Sequence, residues 1–189
     1  MSPPAQTSSD RRHDHEEVFP PAFANGDVIN VVIETPAGSR VKYAWQPDLR
    51  LFKAMKFLAT GLTFPHDAGF VPRTRTEGGS PLDVLVLSDG ALAVGCLVEC
   101  RVLGAFEVAT SDKPGDDPNP TVRLVVVPEA SLRGKSWKQL DDLGAAMVDD
   151  LAGFLRSSVE REGRTFELRG TLGSNPALRL VRQSSTTEG

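Results

Sequence analysis

Apolar and β-branched residues gather in short runs through the first two-thirds of the chain and change to a helical period in the last third. Val28 to Ile33 and Val41 to Trp45 flank Pro36, Ala37, Gly38 and Ser39, a turn composition that predicts a hairpin. Further strands are expected at Leu51 to Leu58, Gly69 to Val71, Asp83 to Leu87, Leu97 to Val108 and Val122 to Val127. Leu143, Met147, Leu151, Phe154, Leu155 and Val159 then recur on one helical face, and Asp149, Asp150, Arg156 and Glu160 fall largely on others. This helix should end before Gly163. A strand at Thr165 to Arg169 follows, and Ser174 or Asn175 with Pro176 would cap and open a last helix through Val181. Strands first and helices afterwards make an α+β protein. The expected architecture is a small five-stranded β-barrel of the oligonucleotide-binding type, with additional strands and two C-terminal helices.

The flanks lack any such period. Residues 1–26 are rich in Pro, Ser, Ala and charge and read as a disordered N-terminal tail, with the folded domain at 27–183 and a flexible C-terminal tail at 184–189. His13, Asp14, His15, Glu16 and Glu17 cluster in the first tail, where solvated charge is the default reading. Composition narrows the function classes. A net charge of −4 with scattered basic residues argues against nucleic acid as a partner. No apolar run reaches the roughly 20 residues that span a bilayer, so no membrane partner is expected and a soluble, cytoplasmic protein is. Cys96 and Cys100, if on one strand, would lie roughly 13 Å apart, too far for a disulfide, which suits a reducing compartment.

Three segments carry a more specific message. They are Val31-Val32-Ile33-Glu34-Thr35-Pro36 leading to Val41-Lys42-Tyr43, then Phe64-Pro65-His66-Asp67-Ala68-Gly69-Phe70-Val71-Pro72, then Gly78-Gly79-Ser80-Pro81-Leu82-Asp83-Val84-Leu85-Val86-Leu87. In order and spacing they resemble the family I soluble inorganic pyrophosphatases, and the resemblance covers residues 28–128 well and the remainder more loosely. It implies hydrolysis of pyrophosphate by a metal-activated water, with several Mg²⁺ ions shielding the phosphoryl oxygens. It also implies a homo-oligomer, commonly a hexamer in bacterial members.

Residue by residue, the resemblance transfers unevenly. The family's central motif, Asp-Gly-Asp-Pro, an apolar residue and Asp, falls on Gly78, Gly79, Ser80, Pro81, Leu82 and Asp83, so two of its three aspartates are replaced. Asp83 and Glu34 match family carboxylates, and Glu77 is a displaced acid one residue outside the motif. These three are the candidate Mg²⁺ ligands, because that ion prefers clustered carboxylate oxygens. By the resemblance a second acidic pair falls near Thr110 and Thr121, neither a carboxylate, while Asp112, Asp116 and Asp117 lie in the same Pro-rich loop, read as an exposed turn. Lys42 matches a family lysine and Arg123 another; Lys56, or Lys53, stands for an arginine. Lys42, Lys56 and Arg123 are thus the expected anion-binding groups, with Asp83 and Lys42 closest to any chemistry. Tyrosines expected in the second segment are Phe64 and Ala68, a Tyr-Lys pair on the long helix falls on Ser157 and Ser158, and a glutamate falls on Ala44. His66 and Asp67 read as a polar turn pair, since neighbours on an extended segment point opposite ways.

Two readings compete at this point. One is Mg²⁺-dependent pyrophosphate hydrolysis with fewer ions, weakened or lost. The other is a pseudoenzyme that binds a small phosphate-containing anion or serves as an oligomeric scaffold. Physical economy favours loss: carboxylates about 4 Å apart repel by roughly 4 kcal/mol at an effective dielectric near 20, so an aspartate cluster without metals destabilises the fold. An oligonucleotide-binding barrel ranks last, because the chain has few aromatic residues to stack on bases.

Overall fold

Strands apolar on both faces need cover on both faces, and here five of them close on one another beneath a helix. The computed structural model describes residues 18–186. Its strands are β1 (Phe23–Asn25), β2 (Val28–Thr35), β3 (Val41–Gln46), β4 (Leu51–Phe57), β5 (Asp67–Val71), β6 (Leu82–Val86), β7 (Leu97–Ser111), β8 (Asn119–Pro128) and β9 (Thr165–Gly173). Helices α1 (Ala145–Glu160) and α2 (Ser174–Ser184) follow in the last third. β2 pairs with β5, β5 with β6, β6 with β8, β8 with β7, and β7 returns to β2, so the expected five-stranded barrel closes. Only the β6–β8 contact is parallel. β1 and β9 extend the sheet at its flanks.

Alternation along β6 and β8 separates two cores. Leu82, Val84, Val86, Leu124 and Val126 join residues from all five barrel strands in the interior, together with Ala177 and Val181 of α2. Leu85, Leu87, Val125 and Val127 face the other way and are roofed by Leu151 and Leu155 of α1. Both leucines are buried, and each contributes about 1.5–3 kcal/mol through removal of apolar surface from water. Asp83 and Arg123 sit on the roofed side, two residues before Leu85 and Val125, at the end of the strands that α1 leaves open.

Some sequence expectations need correcting. β2 and β3 do not form a ladder: β3 pairs with β4, and both edges of β2 are taken by barrel neighbours. The β2–β3 link runs through side chains instead. Thr35 Oγ1 accepts the Tyr43 amide at 3.1 Å, and Glu34 Oε1 accepts the Trp45 amide at 2.7 Å. The last helix is preceded by Gly173 rather than capped by Ser174 or Asn175, and it runs to Ser184, with Pro176 tolerated in its first turn.

The N-terminal boundary also moves. Phe19 stands edge-on to Trp45 and Phe70 with centroids 4.8 and 5.4 Å away, Ala22 is buried, and β1 pairs with β2. Isolated anchors with no period are invisible to a pattern search, which is why residues 18–26 read as tail. At the other end Thr186 donates to the Arg73 carbonyl at 2.8 Å, so the first residues after 183 are also tied down. The His13 to Glu17 cluster lies outside the described residues.

Candidate anion site

A cavity of about 150 Å³ opens between the outer face of the barrel, the β3–β4 hairpin and the C-terminal half of α1. Each wall has a local cause. At the floor, β6 and β8 run parallel with Asp83 opposite Arg123, and the two side chains form an ion pair. The same guanidinium donates to Thr121 Oγ1 at 3.2 Å. On the hairpin wall, Lys42 and Lys56 are direct cross-strand partners, and a register shift beside them lets β4 carry one extra residue. On the third side come Phe154, Leu155, Ser158 and Val159 of α1, then Glu162 and Arg164 from the turn into β9. Arg164 donates to Thr110 Oγ1 at 3.3 Å and pairs with Asp112 at 3.0 Å. Lys56 pairs with Glu162.

Glu34 enters from a bulge in β2, where the register against β5 skips between Ile33 and Thr35. A bulge re-aims a side chain, here into the cavity. Burial pushes its carboxyl up to about 7; the Trp45 amide opposes this, neighbouring Asp83 adds to it and Lys42 opposes it again. Lys56 is held below the ordinary lysine range, first by burial and then by the positive charges of Lys42 and Arg164. Close approach of backbone fixes the inner corner: a Cβ on Gly69 would stand 2.0 Å from the Val32 carbonyl oxygen.

Five of the six sequence-derived site residues therefore meet in one cavity: Asp83, Lys42, Lys56, Arg123 and Glu34. Of the two lysines considered for the arginine position, Lys56 lines the cavity and Lys53 does not. Glu77 stands apart, exposed in a turn held by Gly79 N–H to the Thr76 carbonyl, with Gly79 at φ +81°. Glu77 is not among the cavity's lining residues, so the structure does not join it to the other carboxylates. Asp116 and Asp117 are exposed and outside the lining as well, and Asp116 instead accepts the Lys113 amide at 3.1 Å. Asp67 is no surface turn residue: fully buried at the start of β5, it accepts the Ala37 and Leu92 amides at 2.7 and 3.1 Å and the Ser88 hydroxyl.

Arg164 and Glu162 also line the cavity and sequence reading missed both, while Thr110, noted there only as a lost carboxylate, lines it too. Thr110 lies opposite Phe166 in the β7–β9 ladder, which brings Arg164 alongside it, and no motif marks that pairing in advance. Ser158, at a position where the resemblance expects a long polar side chain, turns its hydroxyl to the Leu155 carbonyl at 2.8 Å.

Comparison with known proteins now decides the family. A family model described as inorganic pyrophosphatase matches residues 31–187. The chain belongs to the inorganic pyrophosphatase family. An inorganic pyrophosphatase of Synechocystis sp. is 31% identical over 163 residues, covering 86% of this chain and 93% of that protein. One from Ralstonia nicotianae is 36% identical over 152 residues, covering 78% and 83%. The crystal structure of inorganic pyrophosphatase from Thermus thermophilus superposes with a TM-score of 0.78 at 28% identity, covering 88% of this chain and 94% of that one.

Inorganic pyrophosphatases are generally Mg²⁺ proteins, and the donor set here can be tested against that requirement. Mg²⁺ seeks a near-octahedral shell of oxygens, with carboxylates as anchors. In the cavity Asp83 is committed to Arg123, Glu162 to Lys56, and Glu34 Oε1 to the Trp45 amide. Among the described residues no group of three or more His, Cys, Asp or Glu side chains is arranged to hold a metal ion. These residues do not fit the several ions that the family resemblance implies. Among the described residues, no helix is long and apolar enough to cross a membrane.

Proposed function

We propose that this pyrophosphatase-family protein binds pyrophosphate, or a related small phosphate-containing anion, in the cavity between β3–β4 and α1, and hydrolyses it weakly or not at all. The observation that carries this reading is the Asp83–Arg123 ion pair. The one aspartate left from the central motif is neutralised by an arginine, at a site whose other motif positions are Gly78 and Ser80. Lys42, Lys56 and Arg123 supply the positive charge that a compact anion requires, and Phe64, Leu85 and Phe154 make the surroundings less polar and so strengthen that attraction. The reading includes a cytoplasmic location and a homo-oligomer of the size common in the family. Leu49, Leu51, Met55 and Phe57, all exposed on or beside the β3–β4 hairpin, are apolar surface of the kind that subunit contacts cover.

The test is phosphate release from pyrophosphate by the purified chain in millimolar Mg²⁺, beside the Thermus thermophilus relative and an Asp83→Ala variant. Metal ions supply several kcal/mol of transition-state stabilisation in such reactions, so the rate should fall at least about 10³-fold below the relative's. Asp83→Ala should not reduce it further. Rapid turnover that needs both Mg²⁺ and Asp83 would refute the proposal.

A further inference from the structure

We infer that the cavity takes an organic phosphate with one compact aromatic substituent, the phosphate at Lys42 and the ring on an apolar half built from Leu58, Phe64, Ala68, Phe154 and Val159. The phosphate end rests on the reading of the cavity as a phosphate-anion site. The apolar half is the addition, and it selects a ligand class that inorganic pyrophosphate does not belong to.

The first ground is a change of polarity along the cavity floor. At one end Asp83 of β6 stands opposite Arg123 of β8. Two residues along the same face, Leu85 stands opposite Ala68 of β5, and the surface has become hydrocarbon. Ala68 and Phe154 both pack against the core cluster of Leu85, Leu151 and Leu155, which places them at this second end. Phe64 joins them, buried and edge-on to Phe154 with centroids 5.4 Å apart. Inorganic pyrophosphate is charged and hydrated over its whole surface, so it loses water against such walls without compensation. An aromatic ring gains there, both by leaving water and by edge-to-face contact with the two phenylalanines.

The second ground is vacated volume. Ala68 and Ser158 stand where the resemblance expects large polar side chains, and both line the cavity. Ser158 turns its hydroxyl back to the Leu155 carbonyl at 2.8 Å, and Ala68 offers only a methyl group, so neither presents a donor to an anion. What opens at Ala68 is the space of a phenol ring. The whole cavity is about 150 Å³, and an apolar cavity of about that size admits benzene. A ring inside leaves the phosphate at the open side, where Lys42 is exposed. Among the described residues Lys42 is also the lining cation with no carboxylate within ion-pairing distance, whereas Lys56, Arg123 and Arg164 are paired with Glu162, Asp83 and Asp112. Its ammonium can meet a phosphate without breaking an existing pair.

The experiment is calorimetric titration of the full-length chain with phenylphosphonate, methylphosphonate and pyrophosphate in one buffer of fixed Mg²⁺ concentration, with melting curves for every variant. The phosphonates carry a phosphate-like head and no ester bond to cleave, so binding is read apart from hydrolysis. Phenylphosphonate should bind at least about tenfold more tightly than methylphosphonate, a factor that burial of one ring supplies. Ala68→Tyr returns a phenol to the vacated space and should erase that advantage while leaving methylphosphonate affinity unchanged. Phe154→Ala removes one wall and should shrink the advantage too, which keeps the test decisive if the tyrosine variant does not fold. Lys42→Ala should weaken both phosphonates by the same factor. Equal affinity for the two phosphonates in the wild type, a phenyl advantage that survives in folded Ala68→Tyr and Phe154→Ala, or phenylphosphonate binding indifferent to Lys42→Ala would overturn the inference. Pyrophosphate binding beside any of these leaves the functional proposal standing. Absence of binding by all three ligands would sink both.

Discussion

Glu34→Gln is the perturbation whose sign and size the structure defines most fully. Glu34 is largely buried at the β2 bulge, its Oε1 accepts the Trp45 amide at 2.7 Å, and burial lifts its carboxyl from an ordinary 4.5 to about 7. An unfolded chain releases this proton near pH 4.5 while the native chain keeps it to about pH 7. Stability linked to Glu34 is therefore fully present below pH 4.5 and is lost as pH rises through 7. At about 1.4 kcal/mol per pH unit, the native state above pH 7 carries a penalty on the order of 3 kcal/mol for holding this carboxylate ionised. Gln keeps an oxygen for the Trp45 amide and removes the charge. At pH 8 the variant should be more stable than the wild type by about 1–3 kcal/mol, or roughly 3–10 °C in melting temperature for a chain of this size. At pH 5 the two should nearly coincide. Urea unfolding and thermal melts at both pH values supply the measurement. A difference that is the same at pH 5 and pH 8, or a variant less stable at pH 8, would refute the assignment of a buried, proton-holding Glu34.

Two further substitutions probe the frame around the cavity. Asp67→Ala leaves the Ala37 and Leu92 amides without their acceptor in a buried place, and the cost should be about 3–5 kcal/mol, read as a fall in the urea midpoint with little change in slope. Gly69→Ala drives a methyl group to 2.0 Å from the Val32 carbonyl oxygen, a backbone atom that cannot move aside without opening the β2–β5 pairing. Its cost should reach about 3 kcal/mol or more, and a melting temperature within a degree of the wild type would contradict the close approach.

The barrel was legible because its strands follow the simplest rule available. Val122 to Val127 and Asp83 to Leu87 are runs of β-branched and apolar residues that only a strand covered on both faces explains, and both fall where expected. Helix α1 was legible for the same reason, Leu151 and Leu155 being the buried teeth of its apolar stripe. What escaped depended on side chains standing in for backbone. Thr35 and Glu34 join β2 to β3 with hydrogen bonds that no hydrophobic pattern encodes, so a hairpin was expected where a side-chain bridge exists. Asp67 looked like a turn residue because its three donors come from Ala37, Ser88 and Leu92, which are near it only after folding. Lys42, Arg123, Asp83 and Glu34, placed by the resemblance, and Lys56, offered there with Lys53 as the alternative, all line the cavity. Sequence reading missed Arg164, whose place depends on the long-range β7–β9 register. Glu77 shows the converse hazard, since a place beside the motif in sequence did not bring it into the cavity lining.

The proposed function stands or falls on whether Asp83, ion-paired with Arg123, and Glu34, hydrogen-bonded to the Trp45 amide, still gather a metal ion. Equilibrium titration with Mn²⁺, followed by its electron paramagnetic resonance signal, tests this most directly, because Mn²⁺ shares the oxygen preference of Mg²⁺ and is visible when free. In the absence of pyrophosphate, the account predicts that submillimolar Mn²⁺ stays free in the presence of the wild-type chain and equally so with Asp83→Ala. Stoichiometric Mn²⁺ binding that disappears in Asp83→Ala would contradict it.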